Sequence, residues 1–396
     1  MTINIFHIAL VSLFFIASSF FGLVAFPLNI IDALALISII IIIFYNKEFL
    51  KHTLYEDKHF YIFFMYAFFM SIIMAYLNFG QPLFYSISAA RMFIIYGLLI
   101  VALNIMLKNF DIKRAHIFML IISFIIIFIN LYVYTTEDIS ILVENVGILR
   151  RLGEIRITIG TFTAIIFIFY FYYALNKYKW MIIPLLGLLL VMIVVFKTRS
   201  VLFPVLIILL LPLLRAHKSQ ILKTWMIFTL IIVISFIATG YEKSILSPIV
   251  KLFTLLMEES QSAKNLSSNI RGIELVYYWN FLDIKSIIFG YGMDNKQFKE
   301  LYDANFFLTD IGLFNIFYYH GILGSFLYIG MLWRLYSVSK IDNSALHMTG
   351  RSIVYFQILS PNSVFMYSPG YMLLLFIVYI LVKNDNKNKL PRNYHI

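Results

Sequence analysis

The stretch that decides the fold runs from Phe84 to Leu107, FYSISAARMFIIYGLLIVALNIML, and Arg91 is its one charged side chain. At 1.5 Å per residue such a run makes a helix of about 36 Å, enough to cross the ~30 Å hydrocarbon core of a bilayer. No face of it is polar enough to meet water, so it reads as a membrane-spanning helix. Arg91 lies about two turns in, close enough to the nearer surface to snorkel.

Working outward, the same texture covers nearly the whole chain. Its 396 residues are 62% hydrophobic and 18% aromatic and only 13% charged, with a mean hydropathy of +0.89, so a water-soluble surface could not be assembled from them. Cutting at polar and proline-rich breaks predicts an all-α polytopic bundle of about twelve spans in one domain, residues 1–396. The spans run from Ile5 to Val24, Ile30 to Tyr45, Phe60 to Leu77, Phe84 to Leu107, Ala115 to Tyr132, and Thr161 to Leu175. They continue from Trp180 to Phe196, Val201 to Leu214, Trp225 to Gly240, Phe306 to Trp333, Ala345 to Leu359, and Pro369 to Val382. The first stretch lacks a basic n-region and a small-residue cleavage site, so it is expected to stay as a helix. With no cysteine in the chain, disulfides and thiolate chemistry drop out.

Cytoplasmic loops attract Lys and Arg. With the N-terminus inside, the inner segments hold most of the basic residues, including the tail from Lys383 to Arg392. The short outer loops hold only Arg150, Arg151, Arg156, Lys197 and Arg199. Both termini are therefore predicted to be cytoplasmic. The net charge of +11 is mostly this topological signal and gives no reason to invoke nucleic acid. One long hydrophilic segment, Tyr241 to Asn305, falls on the outer side. Within it Ile249, Leu252, Phe253 and Leu256 suit an interfacial helix or, equally, one packed on the bundle, Ser267 and Ser268 can cap a helix from Ile270 to about Leu282, and Phe289-Gly-Tyr-Gly292 reads as a turn.

Nucleotide, metalloprotease and serine-hydrolase signatures are absent: there is no GxxxxGK[ST], complete GxGxxG, HExxH or GxSxG, and no DxD pair for a metal-held sugar nucleotide. No metal site or cofactor is expected. What stands out is a set of cations on the outer face, Arg150, Arg151, Arg156, Lys197, Arg199 and Arg271, where basic residues should be scarce. Arginine's planar fork grips phosphate oxygens bidentately and keeps its charge, so such a cluster suits a diphosphate. The alternative is snorkelling to headgroups or pairing with Glu144, Glu154 or Glu274; Arg150 and Glu154 stand at i, i+4. Asp310, opening the tenth span, can cap that helix or act as a base. His320, deeper in it, is expected to bond across helices. Pro204 and Pro212 predict a bent eighth span just past Arg199.

Four stretches in this order resemble the O-antigen polymerase and O-antigen ligase superfamily of membrane glycosyltransferases. They are Arg156-Ile-Thr-Ile-Gly160, Phe196-Lys-Thr-Arg-Ser200, Arg271 through Trp279 to Phe289-Gly-Tyr-Gly292, and Asp310 through His320-Gly-Ile-Leu-Gly324. The resemblance implies a bundle in the bacterial inner membrane that takes a polyprenyl-diphosphate-linked oligosaccharide as donor and acceptor, with membrane lipid and a chain-length regulator protein as further partners. It also implies metal-independent chemistry, with Arg156, Arg199 and Arg271 as the residues holding the leaving diphosphate. Arg150, Arg151, Lys197, Arg91 and Asp310 are the candidates for substrate binding around them. The ligase branch carries a histidine-asparagine pair where this chain reads Phe307-Leu-Thr-Asp-Ile311, which favours a polymerase. A lipid-linked oligosaccharide flippase is the competing reading from another class; it would be expected to line a central cavity with charges.

Overall fold

The computed structural model describes residues 36–37, 39–44, 54–107, 112–136, 148–151, 154–157, 161–196, 201, 204–209, 275–295, 298, 312–360 and 369–389, with backbone alone along the two short strands. The helices that organise them are α1 (Lys58–Phe79), α2 (Leu83–Leu107), α3 (Ile112–Thr136), α4 (Thr161–Ala174), α5 (Ile182–Val191), α6 (Ile284–Phe289), α7 (Leu313–Ser339), α8 (Ala345–Leu359) and α9 (Pro369–Lys389). Four are long and apolar enough to cross a membrane: α1, α2, α7 and the part of α3 from Met119 to Thr136. The segment before α4, expected as an outer loop, forms a hairpin of β1 (Ile148–Arg151) and β2 (Glu154–Ile157). Its antiparallel register sets Arg151 opposite Glu154 and Leu149 opposite Arg156. Because the segment is extended, the i, i+4 relation of Arg150 and Glu154 has no helical meaning there.

Two helices form the interior. Every described residue of α9 from Tyr371 to Val382 is buried, as is every one of α4 from Thr163 to Leu175. A helix apolar all round must be kept from water, by other helices or by lipid, and α9 is covered by α2, α4, α7 and α8. The surrounding helices present apolar rows outward instead. On α3 these are Ile117, Ile121, Phe124, Ile125, Phe128 and Tyr132; on α7 they are Ile322, Phe326, Ile329 and Trp333. Rows of large exposed apolar side chains at i, i+4, i+7 spacing would aggregate in water and are at home against acyl chains.

The chain turns where its residues demand it. Gly80 ends α1 with a left-handed φ of 67°, its N–H donates to the Tyr76 carbonyl at 2.9 Å, and Pro82 blocks any continuation. α1 and α2 thus form an antiparallel pair. At its far end, Asp57 before α1 is fully buried and is met by Lys383 of α9 at 2.7 Å, Tyr379 at 2.6 Å and Asn104 of α2 at 2.7 Å. The turn between α7 and α8 lies at this end too: His347 bonds Asn386 at 2.9 Å, and Asn386 bonds the Val338 carbonyl at 2.8 Å. Tyr173, at the end of α4, reaches Ser352 in α8 at 2.8 Å. The starts of α4 and α7 therefore face the other end of the bundle, together with Gly80.

Candidate functional site

At the Gly80 end a strap from Ser286 to Asn295 is wedged between α1 and α7. Asp283 caps α6, its Oδ1 accepting from the Ser286 N–H at 2.8 Å, and hydrogen bonding from the Ser286 hydroxyl, then from this N–H, holds its carboxyl below the ordinary range. After α6 the chain passes through Gly290 (φ 97°) and Gly292 (φ 88°). A Cβ on Gly290 would collide with the Tyr319 carbonyl, and one on Gly292 with the Ala75 nitrogen. Backbone therefore lies directly on backbone, which only glycine permits.

This contact explains an interruption in α7. Gly321 has φ 68° and ψ −171°, so the helix is broken there. A break at membrane depth frees carbonyls that must find donors. The strap and α1 supply them: Tyr291 N–H donates to Tyr318 O at 2.7 Å, Gly292 N–H to Tyr319 O at 3.4 Å, and Tyr66 OH to His320 O at 3.1 Å. From α1, Asn78 Nδ2 donates to Tyr291 O at 2.8 Å, and buried Gln81 donates to Met293 O at 3.1 Å while accepting from Asn295 N–H at 2.8 Å. Phe79 stacks on Tyr291 with centroids 5.7 Å apart.

The ring next to this break is not used in it. His320 is fully buried, its ring edge-on to Phe93 at 5.0 Å and Phe63 at 6.1 Å. Neither ring nitrogen has a hydrogen-bond partner among the described residues. Among the described residues the expected bond across helices is not made; it is the backbone carbonyl of His320, not its ring, that α1 engages.

The hairpin occupies the same end of the bundle. Strand β2, which carries Arg156, packs against the π-helical turn Met192–Phe196, and α3 touches both. In sequence, Lys197 and Arg199 follow that turn. Lys197, Arg199, Arg271 and Asp310 themselves lie outside the described residues, and Arg150, Arg151 and Arg156 are placed by backbone alone. Arg91 is half-buried in α2, its guanidinium reaching back to donate to the Ser88 carbonyl. That direction, toward the start of α2, is the one a snorkelling arginine takes.

Sequence reasoning missed the roles of Tyr66, Asn78 and Gln81, whose signal was only that polar side chains are costly in apolar helices. It also missed one group with metal-ligand chemistry. The ligand atoms of Asp342, His347 and Asp385 lie within 4.8 Å of one another at the Asp57 end. Both His347 nitrogens are already engaged there, by Ser344 at 2.7 Å and Asn386 at 2.9 Å.

No family model matches this chain, and no curated protein sequence matches it. Fold and site define its class as a bundle of apolar helices, several of membrane-spanning length, with a broken helix braced by a glycine strap at one end.

Proposed function

We propose that this chain is an O-antigen polymerase, or polymerase of a related surface polysaccharide, in a bacterial inner membrane. In this reading it spans the membrane twelve times with both termini in the cytoplasm, and the strap end, with segment 241–305, faces the periplasm. The sugar hydroxyl of one lipid-linked repeat attacks the anomeric carbon of a second lipid-linked glycan. A new glycosidic C–O bond forms, the C–O bond to the diphosphate breaks, polyprenyl diphosphate departs, and the hydroxyl proton passes to a base. Arg156, Arg199 and Arg271 stabilise charge growing on the departing diphosphate. Arg150, Arg151, Lys197, Arg91 and Asp310 line the approach of donor and acceptor.

The observation that carries this reading is a juxtaposition. Phe289–Gly292 and His320–Gly324, two of the stretches on which the family resemblance rests, meet backbone to backbone. At the same end of the bundle, the strand bearing Arg156 abuts the turn that leads to Arg199. Polymerisation can be followed in cells as the glycan ladder on gels. Alanine at Arg156, Arg199 or Arg271 is expected to slow the reaction by about 10²- to 10³-fold and collapse the ladder, and lysine to restore it only in part. Wild-type ladders from all three alanine variants would overturn the assignment.

A further inference from the structure

Beside the strap, residues 275–289 expose a run of large apolar side chains that the bundle does not cover. Val276 is 59% exposed, Trp279 49% and Ile284 77%, with Leu275 and Ile288 also open. Exposed Asn280, Asp283 and Lys285 are interleaved with them. We propose that this segment is seated in the headgroup boundary of the nearer lipid leaflet, with the apolar side chains immersed and the polar ones in the wet layer. Its partner is the bilayer itself.

Depth along α7 supports this. Trp333 is 68% exposed and packs beside Tyr336 with centroids 6.0 Å apart, near one end of the outward row Ile322, Phe326, Ile329, Trp333. The unbroken part of α7 beyond Gly321, from Ile322 to Trp333, runs about 17 Å at 1.5 Å per residue, and Leu313 lies on the other side of the break. Trp279 packs on the first turns of α7, with ring centroids 6.2 Å from Phe314 and 6.1 Å from Phe317, nearly parallel to the latter. Trp279, on the first turns of α7, and Trp333, beyond the break, thus lie toward opposite ends of this element, and tryptophan's amphipathic ring is favoured at a bilayer border. Asn78 and Gln81 pin the following strap to the end of α1, so 275–289 is held at that level and its apolar surface continues that of the spans. The inference rests on the helix geometry and not on glycosyl transfer. Under the reading above, the same depth is that of a lipid-linked diphosphate.

The test uses the full chain in vesicles of phosphatidylethanolamine and phosphatidylglycerol, with Trp180, Trp225 and Trp333 replaced by Phe so that Trp279 alone reports. Bromine near the headgroup end of the acyl chains should quench its fluorescence several-fold more than bromine near the methyl end, and aqueous iodide should quench little. Strong iodide quenching without bromolipid quenching would place the segment in water. No quenching by either would mean that protein, a second copy or another partner, covers it; both results overturn the proposal. Should the triple variant fail to fold, Val276→Cys in this cysteine-free chain can carry a nitroxide instead. Its collisions should then favour dissolved oxygen over a water-soluble nickel complex, and the reverse preference overturns the proposal equally.

Discussion

Gly80 and Gly292 have similar left-handed backbones, at φ 67° and 88°, but different surroundings. A Cβ on Gly80 would meet nothing within 4 Å, whereas one on Gly292 would strike the backbone of Ala75. Gly80→Ala should therefore cost only the conformational penalty, about 1–2 kcal/mol. Gly292→Ala should add displacement of the strap, and loss of folded protein by size-exclusion chromatography in detergent is expected for it alone. Equal behaviour of the two variants would show that the strap is not wedged on α1. His320 makes the opposite case. An unmet buried polar atom costs about 1–3 kcal/mol, and the ring lies among Phe63 and Phe93. His320→Phe should raise the thermal unfolding midpoint; a lowered midpoint would mean that the imidazole has a partner in the native protein.

Among the elements, α9 combines an apolar shaft with a polar terminus that clamps the bundle. Lys383 and Asp57 are both buried, and their ion pair is completed by Tyr379 and Asn104. Removing one member of such a pair strands a charge and typically costs about 3–5 kcal/mol, while replacing both with apolar groups can be nearly neutral. Asp57→Asn should lower the midpoint in a thermal melt more than Asp57→Asn with Lys383→Met. Additive losses would show the pair to be uncoupled. Much of this level was legible in sequence. α8 spans the expected Ala345 to Leu359, and α4 and α9 begin at the expected Thr161 and Pro369. Apolar run length reports helices directly, because the membrane leaves the backbone few other solutions. The hairpin was not legible, since its residues alternate too briefly to mark strands. Nor was the break in α7: an isolated glycine in an apolar run looks like a tolerated one, and what unwinds it is a segment about thirty residues upstream.

Over the whole molecule, the described helices gather their polar anchors at two ends. The Asp57 end is closed by a satisfied ion-pair network; the Gly80 end holds the strap, the broken helix and the hairpin. The arginines that suggested diphosphate chemistry were legible as exceptions to a charge bias, and the bracing of the broken helix by the strap was not, because it depends on backbone contacts that no residue pattern encodes. Whether this second end joins lipid-linked sugars, as we propose, can be read with purified protein in detergent supplied with a polyprenyl-diphosphate-linked repeat unit. Lengthened lipid-linked glycan and one released polyprenyl diphosphate for each linkage formed are expected, with neither made by the Arg156→Ala, Arg199→Ala or Arg271→Ala proteins. Folded wild-type protein that leaves the repeat unit unjoined would contradict the proposal.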